Sequence, residues 1–173
     1  MRFRGVVYRA HNPRWAFSPL SGEGAARTGG RFNRPGTPAL YTSLTLETAV
    51  REAAQGFPHK FDPLTLCSYD VDCEDIADLT AARERSRLDI AAADLACAWK
   101  LLAHEGKPVL SWLAVDKLVQ AGHAGILVRS FAPGATETDV NLVLWKWGDR
   151  RPHRVTLHDP ERRLPRNQRS WSD

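Results

Sequence analysis

The chain has 173 residues, enough for one domain with its own hydrophobic core. Its hydrophobic content of 43% and charged content of 25% are those of an ordinary globular protein, and no apolar run is long enough to span a bilayer. The formal charge of +4 favours anionic partners, such as nucleotides, nucleic acids and acidic proteins. Because no apolar signal-peptide region follows the basic start, we expect a cytoplasmic protein.

Metal and disulfide chemistry find little support in the sequence. The three cysteines, Cys67, Cys73 and Cys97, form no CxxC motif, and their odd number argues against a disulfide framework. The six histidines lack the HxxxH and HExxH spacings of zinc sites. We therefore expect no bound metal.

The first predicted elements are a strand at residues 3–9 and a long loop rich in glycine and proline. The short strand ALYTS follows, and then the helix TLETAVREAAQG. Thr45 is the expected N-cap of this helix, and Gly56 lies beyond its expected end. The spacing predicts a buried stripe at Leu46, Ala49, Val50 and Ala53.

In the second half of the chain, LTLCSYDVD alternates apolar and polar residues and predicts a strand. One helix is expected at residues 88–104 and another around residues 112–119. Three further strands are predicted at AGILVRSF, VNLVLWKW and RVTLHD. This order predicts a single α+β domain with a mostly antiparallel or mixed sheet. Residues 1–150 form its main part, and residues 151–173 form the last strand and a basic tail of the same domain.

The segment SGEGAARTGGRFNRPG, residues 21–36, concentrates glycine and arginine within the long loop. It lacks the G-K-[ST] ending of a Walker motif and the preceding strand that a Rossmann fingerprint needs. We interpret it as flexible backbone that approaches a ligand closely, with guanidinium groups for the ligand's phosphates. A surface loop with solvated arginines is the alternative, and composition alone does not separate the two.

Three polar residues outside this loop are candidate functional groups. Glu47 and Arg51 are spaced to pair with each other on the predicted helix, whereas Glu52 has no such partner and is either exposed or turned toward a cleft. Ser130 lies in the predicted strand GILVRSF without the Gly-x-Ser-x-Gly elbow of a hydrolase. Asn141 opens the next strand, where a turn role is equally compatible.

Taken in order, these motifs resemble the RES domain, a family named for its arginine, glutamate and serine. The resemblance runs from about residue 8 to residue 147, and its most specific part is the block of residues 21–52. Phe32 stands where the family commonly has tryptophan, so the aromatic character is kept. The resemblance implies an ADP-ribosyltransferase-like fold, with a mixed or antiparallel β core and flanking helices.

The resemblance also implies the toxin of a type II bacterial toxin–antitoxin pair with NAD+ as its substrate. Some RES proteins destroy NAD+ by hydrolysis or phosphorolysis, and others transfer ADP-ribose to a protein. The implied partner is an antitoxin with an Xre-like helix-turn-helix domain that occludes the active site. Nucleic acid would then be contacted only through the antitoxin, and no membrane would be involved.

Within this family pattern, Glu52 is the expected catalytic carboxylate. It would stabilise the oxocarbenium character that develops when the nicotinamide–ribose bond breaks. Arg31 is the second expected catalytic residue and would hold the pyrophosphate, together with Arg9.

The remaining expected NAD+-binding residues are Tyr41, Ser130 and Asn141. Tyr41 would stack on the nicotinamide ring, and Ser130 would position the ribose or the amide. For Asn141, as for Asn33, a purely structural role at a turn or strand edge stays open.

A nucleic-acid-binding module or ribonuclease-type toxin is the alternative function, based on the basic tail and the tryptophans. Against it, the arginines are not interleaved with aromatic residues on any predicted element, and no RNA-binding signature appears. An inert interaction domain is a third alternative.

Overall fold

The strands of the protein form one mixed sheet. The structure is a computed structural model that describes residues 1–54 and 62–169. Its strands are β1 Phe3–His11, β2 Leu40–Ser43, β3 Thr65–Cys73, β4 Ile76–Asp78, β5 Gly125–Arg129, β6 Val140–Leu144 and β7 His153–Leu157. The seven-stranded sheet has the order β4-β5-β6-β2-β1-β3-β7.

Short helices flank this sheet. The helices of the described residues are α1 Glu23–Thr28, α2 Leu46–Ala54, α3 Ala82–Arg87, α4 Ala92–Leu95, α5 Trp99–His104 and α6 Leu110–Gln120. A 3-10 turn, Pro13–Trp15, follows β1. Within the described ranges, no helix is long and apolar enough to cross a membrane.

The sheet consists of two halves that join at β1 and β2. β1 pairs with β3 along its whole length, and β2 pairs with β6 along its whole length, in both cases antiparallel. Between β1 and β2 the register contains the single pair Tyr8↔Ser43. Among the strands of the described residues, β4 and β5 are the one parallel pair. The narrow junction leaves room for a cavity beside the ends of β1 and β2.

Alternating burial along the strands builds the two hydrophobic clusters of the core. In β1, Val7 is fully buried while its neighbour Val6 is exposed, as expected of a strand with one covered face. Val7 belongs to a cluster with Leu40 and Tyr69, and the second cluster contains Leu118 and Ile126. Each fully buried aliphatic side chain contributes about 1.5–3 kcal/mol.

The predicted helix at residues 88–104 is wrong. After α3, the chain forms the two short helices α4 and α5 instead of one long helix, although the apolar spacing continues over residues 88–102. Asp89 adopts a φ of 51°, which ends α3. The carbonyls of Leu95 and Cys97 accept hydrogen bonds from the Arg31 side chain. This tertiary contact overrides the helical periodicity.

Helix α2 begins as predicted but buries a different set of residues. The Thr48 N–H donates to Thr45 Oγ1 at 3.2 Å, which is the expected N-cap contact. Leu46 is 42% exposed, so it does not belong to the buried stripe, and Thr48 is buried instead. Gly56, placed beyond the end of the helix, lies outside the described residues.

The expected Glu47–Arg51 pair is also replaced. Arg51 Nη1 donates to the Gly134 carbonyl at 3.1 Å, and Arg51 Nε lies 3.7 Å from the Asp139 carboxylate. Arg51 therefore ties α2 to the loop between β5 and β6 rather than to its own helix.

Candidate active site

A cavity of about 1070 Å³ opens where the two halves of the sheet join. Residues 8–11 of β1 and 41–43 of β2 line it, together with α2, α5, the segment after α1 and the loop after β5. Among the described residues that line it, Glu52 is the only carboxylate, whereas Arg9, Arg31 and Lys100 are cationic. Such a cavity suits an anionic ligand with one locally cationic group.

Glu52 faces this cavity from α2. Its Oε1 accepts a hydrogen bond of 2.7 Å from Ser130 Oγ and another from Asn141 Nδ2. Within the described part of the chain, Oε2 has no hydrogen-bond partner. Two donors thus fix one carboxylate oxygen, and the other remains available to a ligand.

The loop that carries Ser130 is fastened to α2 by Asp139. The Ser130 N–H donates to the Asp139 carbonyl at 2.7 Å. The Asp139 carboxylate accepts from the Thr136 N–H at 2.7 Å and from Thr48 Oγ1 at 2.6 Å. The Thr136 N–H and then the Thr48 hydroxyl lower the pKa of this carboxyl. Since Thr48 belongs to α2, these bonds hold Ser130 at a fixed position relative to Glu52 on the same helix.

Arg31 is held on another wall of the cavity. Its Nη1 donates to the Leu95 carbonyl at 3.1 Å and to the Cys97 carbonyl at 2.7 Å. The guanidinium carbon lies 4.4 Å from the centroid of the Phe131 ring, a cation–π distance. Burial lowers the pKa of Arg31, but an arginine stays protonated at neutral pH. Among the described residues, its Nε and Nη2 donate to no partner.

The backbone around Arg31 is hydrogen-bonded to distant side chains at residues 30–32, within the loop that the sequence predicted to be flexible. Three consecutive carbonyls accept side-chain hydrogen bonds of 2.6–2.8 Å from α6 and from the residue after β6. We call these three donors the carbonyl clamp: Trp112 Nε1 to Gly30, Ser111 Oγ to Arg31, and Trp145 Nε1 to Phe32. The clamp orients Arg31 before any ligand binds.

Tyr41 supports the same segment with its hydroxyl group. The hydroxyl accepts from the Phe32 N–H at 3.0 Å and donates to Asn33 Oδ1 at 2.7 Å. Burial raises the pKa of Tyr41 far above its usual range, so the phenol is neutral. Asn33 is 1% exposed and donates to the Ala25 and Thr37 carbonyls. Asn33 is therefore a structural residue.

Arg9 also lines the cavity, but one nitrogen of its guanidinium is hydrogen-bonded to main-chain carbonyls. Its Nη1 donates to the Pro19 carbonyl at 3.0 Å and to the Ser21 carbonyl at 3.1 Å. Burial lowers the pKa of Arg9. These bonds anchor the beginning of the glycine-rich segment to β1.

Several cavity residues were not singled out from the sequence. His11 lies beside Arg9 on β1, where burial and then the Arg9 charge lower its pKa to about 4, so its ring is neutral at physiological pH. Trp99 and Lys100 line the cavity from α5. No sequence signal marks Trp99 and Lys100, because the α5 wall forms only where the predicted helix at residues 88–104 breaks, and none marks His11 on β1.

Of the residues predicted from the sequence, five line this one cavity: Arg9, Arg31, Tyr41, Glu52 and Asn141. Ser130 joins them through its bond to Glu52. The described residues contain no group of three or more His, Cys, Asp or Glu side chains that could hold a metal ion.

A mixed sheet with flanking helices, and a basic cavity with one fixed carboxylate, define the class of this α+β domain. The chain belongs to the RES domain family, whose model matches residues 6–167. Its fold is similar to that of a chain in the crystal structure of the M. tuberculosis MbcT–MbcA toxin–antitoxin complex. The TM-score is 0.59 at 24% identity, over 92% of this chain and 84% of that chain. The predicted family and fold class are thereby confirmed, and no curated protein gives a match.

Proposed function

We propose that this RES domain protein is the toxin of a type II toxin–antitoxin pair and that it cleaves the nicotinamide–ribose bond of NAD+. The observation that carries the proposal is the presence of Glu52 and Arg31 on the walls of one cavity. A carboxylate and a guanidinium match the two charges of this substrate, since NAD+ has a cationic nicotinamide and an anionic pyrophosphate.

In the proposed reaction, Glu52 acts on the ribose. The nicotinamide leaves with the electron pair of the glycosidic bond, and positive charge develops on the ribose carbon and ring oxygen. The free Oε2 of Glu52 stabilises this charge and accepts hydrogen bonds from the ribose hydroxyls. Its Oε1 remains occupied by Ser130 and Asn141.

Arg31 binds the pyrophosphate in this proposal. Its Nη1 donates to the carbonyls of Leu95 and Cys97 at the end of α4, so Nε and Nη2 supply the charge-assisted bonds to phosphate oxygens. Tyr41 presents its ring to the nicotinamide while its hydroxyl holds the Arg31 segment. Because the carbonyl clamp orients Arg31 in advance, the ligand meets a preorganised site.

The electrophilic ribose carbon is then attacked by a nucleophile. Capture by water or phosphate would deplete NAD+, and capture by a protein side chain would give mono-ADP-ribosylation. The same residues serve bond cleavage in both cases, because the two outcomes differ only in which acceptor reaches the ribose carbon.

The purified chain incubated with NAD+ tests this proposal. We expect free nicotinamide to accumulate in every case. The second product is free ADP-ribose in phosphate-free buffer or the phosphate ester of ADP-ribose in phosphate buffer. When a cell extract is added, ADP-ribosylated protein is the alternative second product. Absence of nicotinamide and of labelled protein under all three conditions would contradict it. The Glu52→Gln variant serves as the inactive control.

The proposed partner is a helix-turn-helix antitoxin that covers the cavity in the cytoplasm. Support comes from the structural relative, which is itself a toxin–antitoxin complex. Such a partner should abolish nicotinamide release at equimolar concentration, and full activity in its presence would reject this arrangement.

No specific observation favours the nucleic-acid-binding alternative. Two of its candidate basic residues already pair with carboxylates of the chain: Arg151 lies 3.0 Å from the Asp72 carboxylate, and Arg163 lies 2.5 Å from Glu161.

A further inference from the structure

Ser43 lies one side chain away from Glu52, at the edge of the site already described. It ends β2, and its direct partner in the sheet register is Asn141 of β6. Ser43 Oγ donates to Asn141 Oδ1 at 2.7 Å, and Asn141 Nδ2 donates in turn to Glu52 Oε1. Ser43, Asn141 and Glu52 thus form a hydrogen-bonded chain in which each donor points toward the carboxylate.

The direction of this chain depends on the orientation of the Asn141 amide. An asparagine side chain has a donor end and an acceptor end of nearly the same shape. With the Ser43 hydroxyl bound to Oδ1, the NH2 group faces Glu52. The opposite orientation would place Oδ1 against the carboxylate, and two acceptors repel each other. The ionised Glu52, which only accepts, therefore selects this orientation, and the Ser43 hydroxyl stabilises it by donating to the Oδ1 end of the amide.

The location of Ser43 fits this indirect role. Although Ser43 belongs to the lining of the cavity, its relative exposure is 3%, so it presents almost no surface to a bound molecule. Its hydroxyl proton is already committed to Asn141. Any effect of Ser43 on a reaction in the cavity therefore passes through Asn141 and Glu52.

We propose that Ser43 is a positioning residue, which acts through the Asn141 amide to hold Glu52 Oε1 and so aim Oε2 at the substrate. The Ser130 hydroxyl approaches the same oxygen from the β5 end, and together the two donors prevent rotation of the carboxylate. The catalytic consequence rests on the proposed NAD+ cleavage, whereas the positioning itself does not.

The first test is the kinetics of three variants. We expect Ser43→Ala to lower kcat for nicotinamide release about tenfold, the effect of losing one positioning hydrogen bond, with less than about a twofold change in KM. Ser43→Thr keeps a hydroxyl donor and should recover most of kcat. Ser68→Ala is the matched control: Ser68 and Ser43 both pair with Tyr8, on opposite sides of β1, and Ser68 does not line the cavity.

Two kinetic results would overturn the proposal. The first is a wild-type kcat for Ser43→Ala, after correction for the folded fraction measured by thermal unfolding. This result would show that the hydrogen bond between Ser43 and Asn141 is merely structural. The second is a rise in KM with unchanged kcat, since this would make Ser43 a substrate-binding group.

The second test needs no turnover and separates the positioning from the proposed function. The side-chain NH2 resonances of Asn141, assigned by their loss in Asn141→Asp, are recorded by NMR without NAD+. We expect Ser43→Ala to shift them and Ser68→Ala to leave them in place. Unchanged resonances in Ser43→Ala would reject the positioning, whereas shifted resonances in a protein that does not cleave NAD+ would reject the proposed function alone.

Discussion

Ser130 Oγ donates a hydrogen bond of 2.7 Å to Glu52 Oε1, although the two residues are 78 positions apart in the chain. The bond joins α2 to the segment that follows β5. Because Asp139 ties this segment to Thr48 of α2, the geometry of the carboxylate depends on the fold and not on one flexible side chain. The predictions below follow from this fixed geometry.

Replacing Glu52 with glutamine should remove catalysis and spare the fold. The amide keeps an oxygen that accepts from Ser130, but it has no charge to stabilise the oxocarbenium ion. We expect nicotinamide release to fall at least about 100-fold, as when one preorganised electrostatic group is lost. Glu47→Gln, on the exposed face of the same helix, is the control. A Glu52→Gln protein with wild-type turnover would remove Glu52 from the mechanism.

Replacing Arg31 with lysine should weaken NAD+ binding. Lysine keeps the charge but loses both the planar fork and the contact with the Phe131 ring. We expect the Kd measured by calorimetry to rise about tenfold or more, the cost of one or two charge-assisted hydrogen bonds. Arg27→Lys is the matched control, because Arg27 is exposed and lies over Trp15, outside the cavity lining. Equal affinities of both variants would argue against a phosphate role for Arg31.

Replacing Gly30 with alanine should destabilise the protein. A Cβ at this position would lie 2.5 Å from the Tyr41 hydroxyl oxygen and 2.7 Å from Asn33 Oδ1, inside the contacts that support the Arg31 segment. We expect a loss of about 1–3 kcal/mol in the free energy of unfolding. At Gly24, in α1, an added Cβ meets nothing within 4 Å. There alanine should stabilise by roughly 0.5–1 kcal/mol, so urea unfolding should move the two variants in opposite directions.

The stability of the sheet should depend on pH through Asp72. Hydrogen bonds from Arg2, with further help from Arg151, hold the pKa of this carboxyl at about 2, below its ordinary 3.8. A depressed pKa in the folded state means that the stabilisation is fully present above about pH 4 and is lost as the pH falls toward 2. Asp72→Asn should therefore lower the Tm at pH 7, and the difference from wild type should shrink near pH 2.

Asp70→Asn provides the control for this pH dependence, because Asp70 is an exposed neighbour on the same strand. Its Tm difference from wild type should stay small at both pH values. A constant Tm deficit of Asp72→Asn from pH 7 to pH 2 would show that the ion pairs are not its cause.

The sequence predicted those parts of the fold that depend on local periodicity. Alternation located β3, short runs of strand-forming residues located β1, β2, β5, β6 and β7, and the N-cap Thr45 located the start of α2. Three elements have weaker local signals and were missed. Helices α1 and α3 each have only six residues and no buried residue, and β4 has only three residues and pairs in parallel with a distant strand.

Long-range contacts explain what the sequence could not reveal about the site. Arg31 and Glu52 stand out as residue types within a family pattern, but the contact between Ser43 and Asn141 exists only through the register of β2 and β6. Likewise, the rigidity of residues 30–32 depends on donors about 80 or more positions away, such as Ser111 and Trp145. A glycine-rich composition alone therefore suggested flexibility where the fold imposes order.

The structure of the Glu52→Gln protein with intact NAD+ is the most direct measurement of the site. We expect the nicotinamide ribose within hydrogen-bonding distance of residue 52, and the pyrophosphate on Nε and Nη2 of Arg31, with residues 30–32 unmoved. A dinucleotide bound outside this cavity, or bound inside it with its pyrophosphate away from Arg31, would contradict the assignment of these two residues to opposite ends of one substrate.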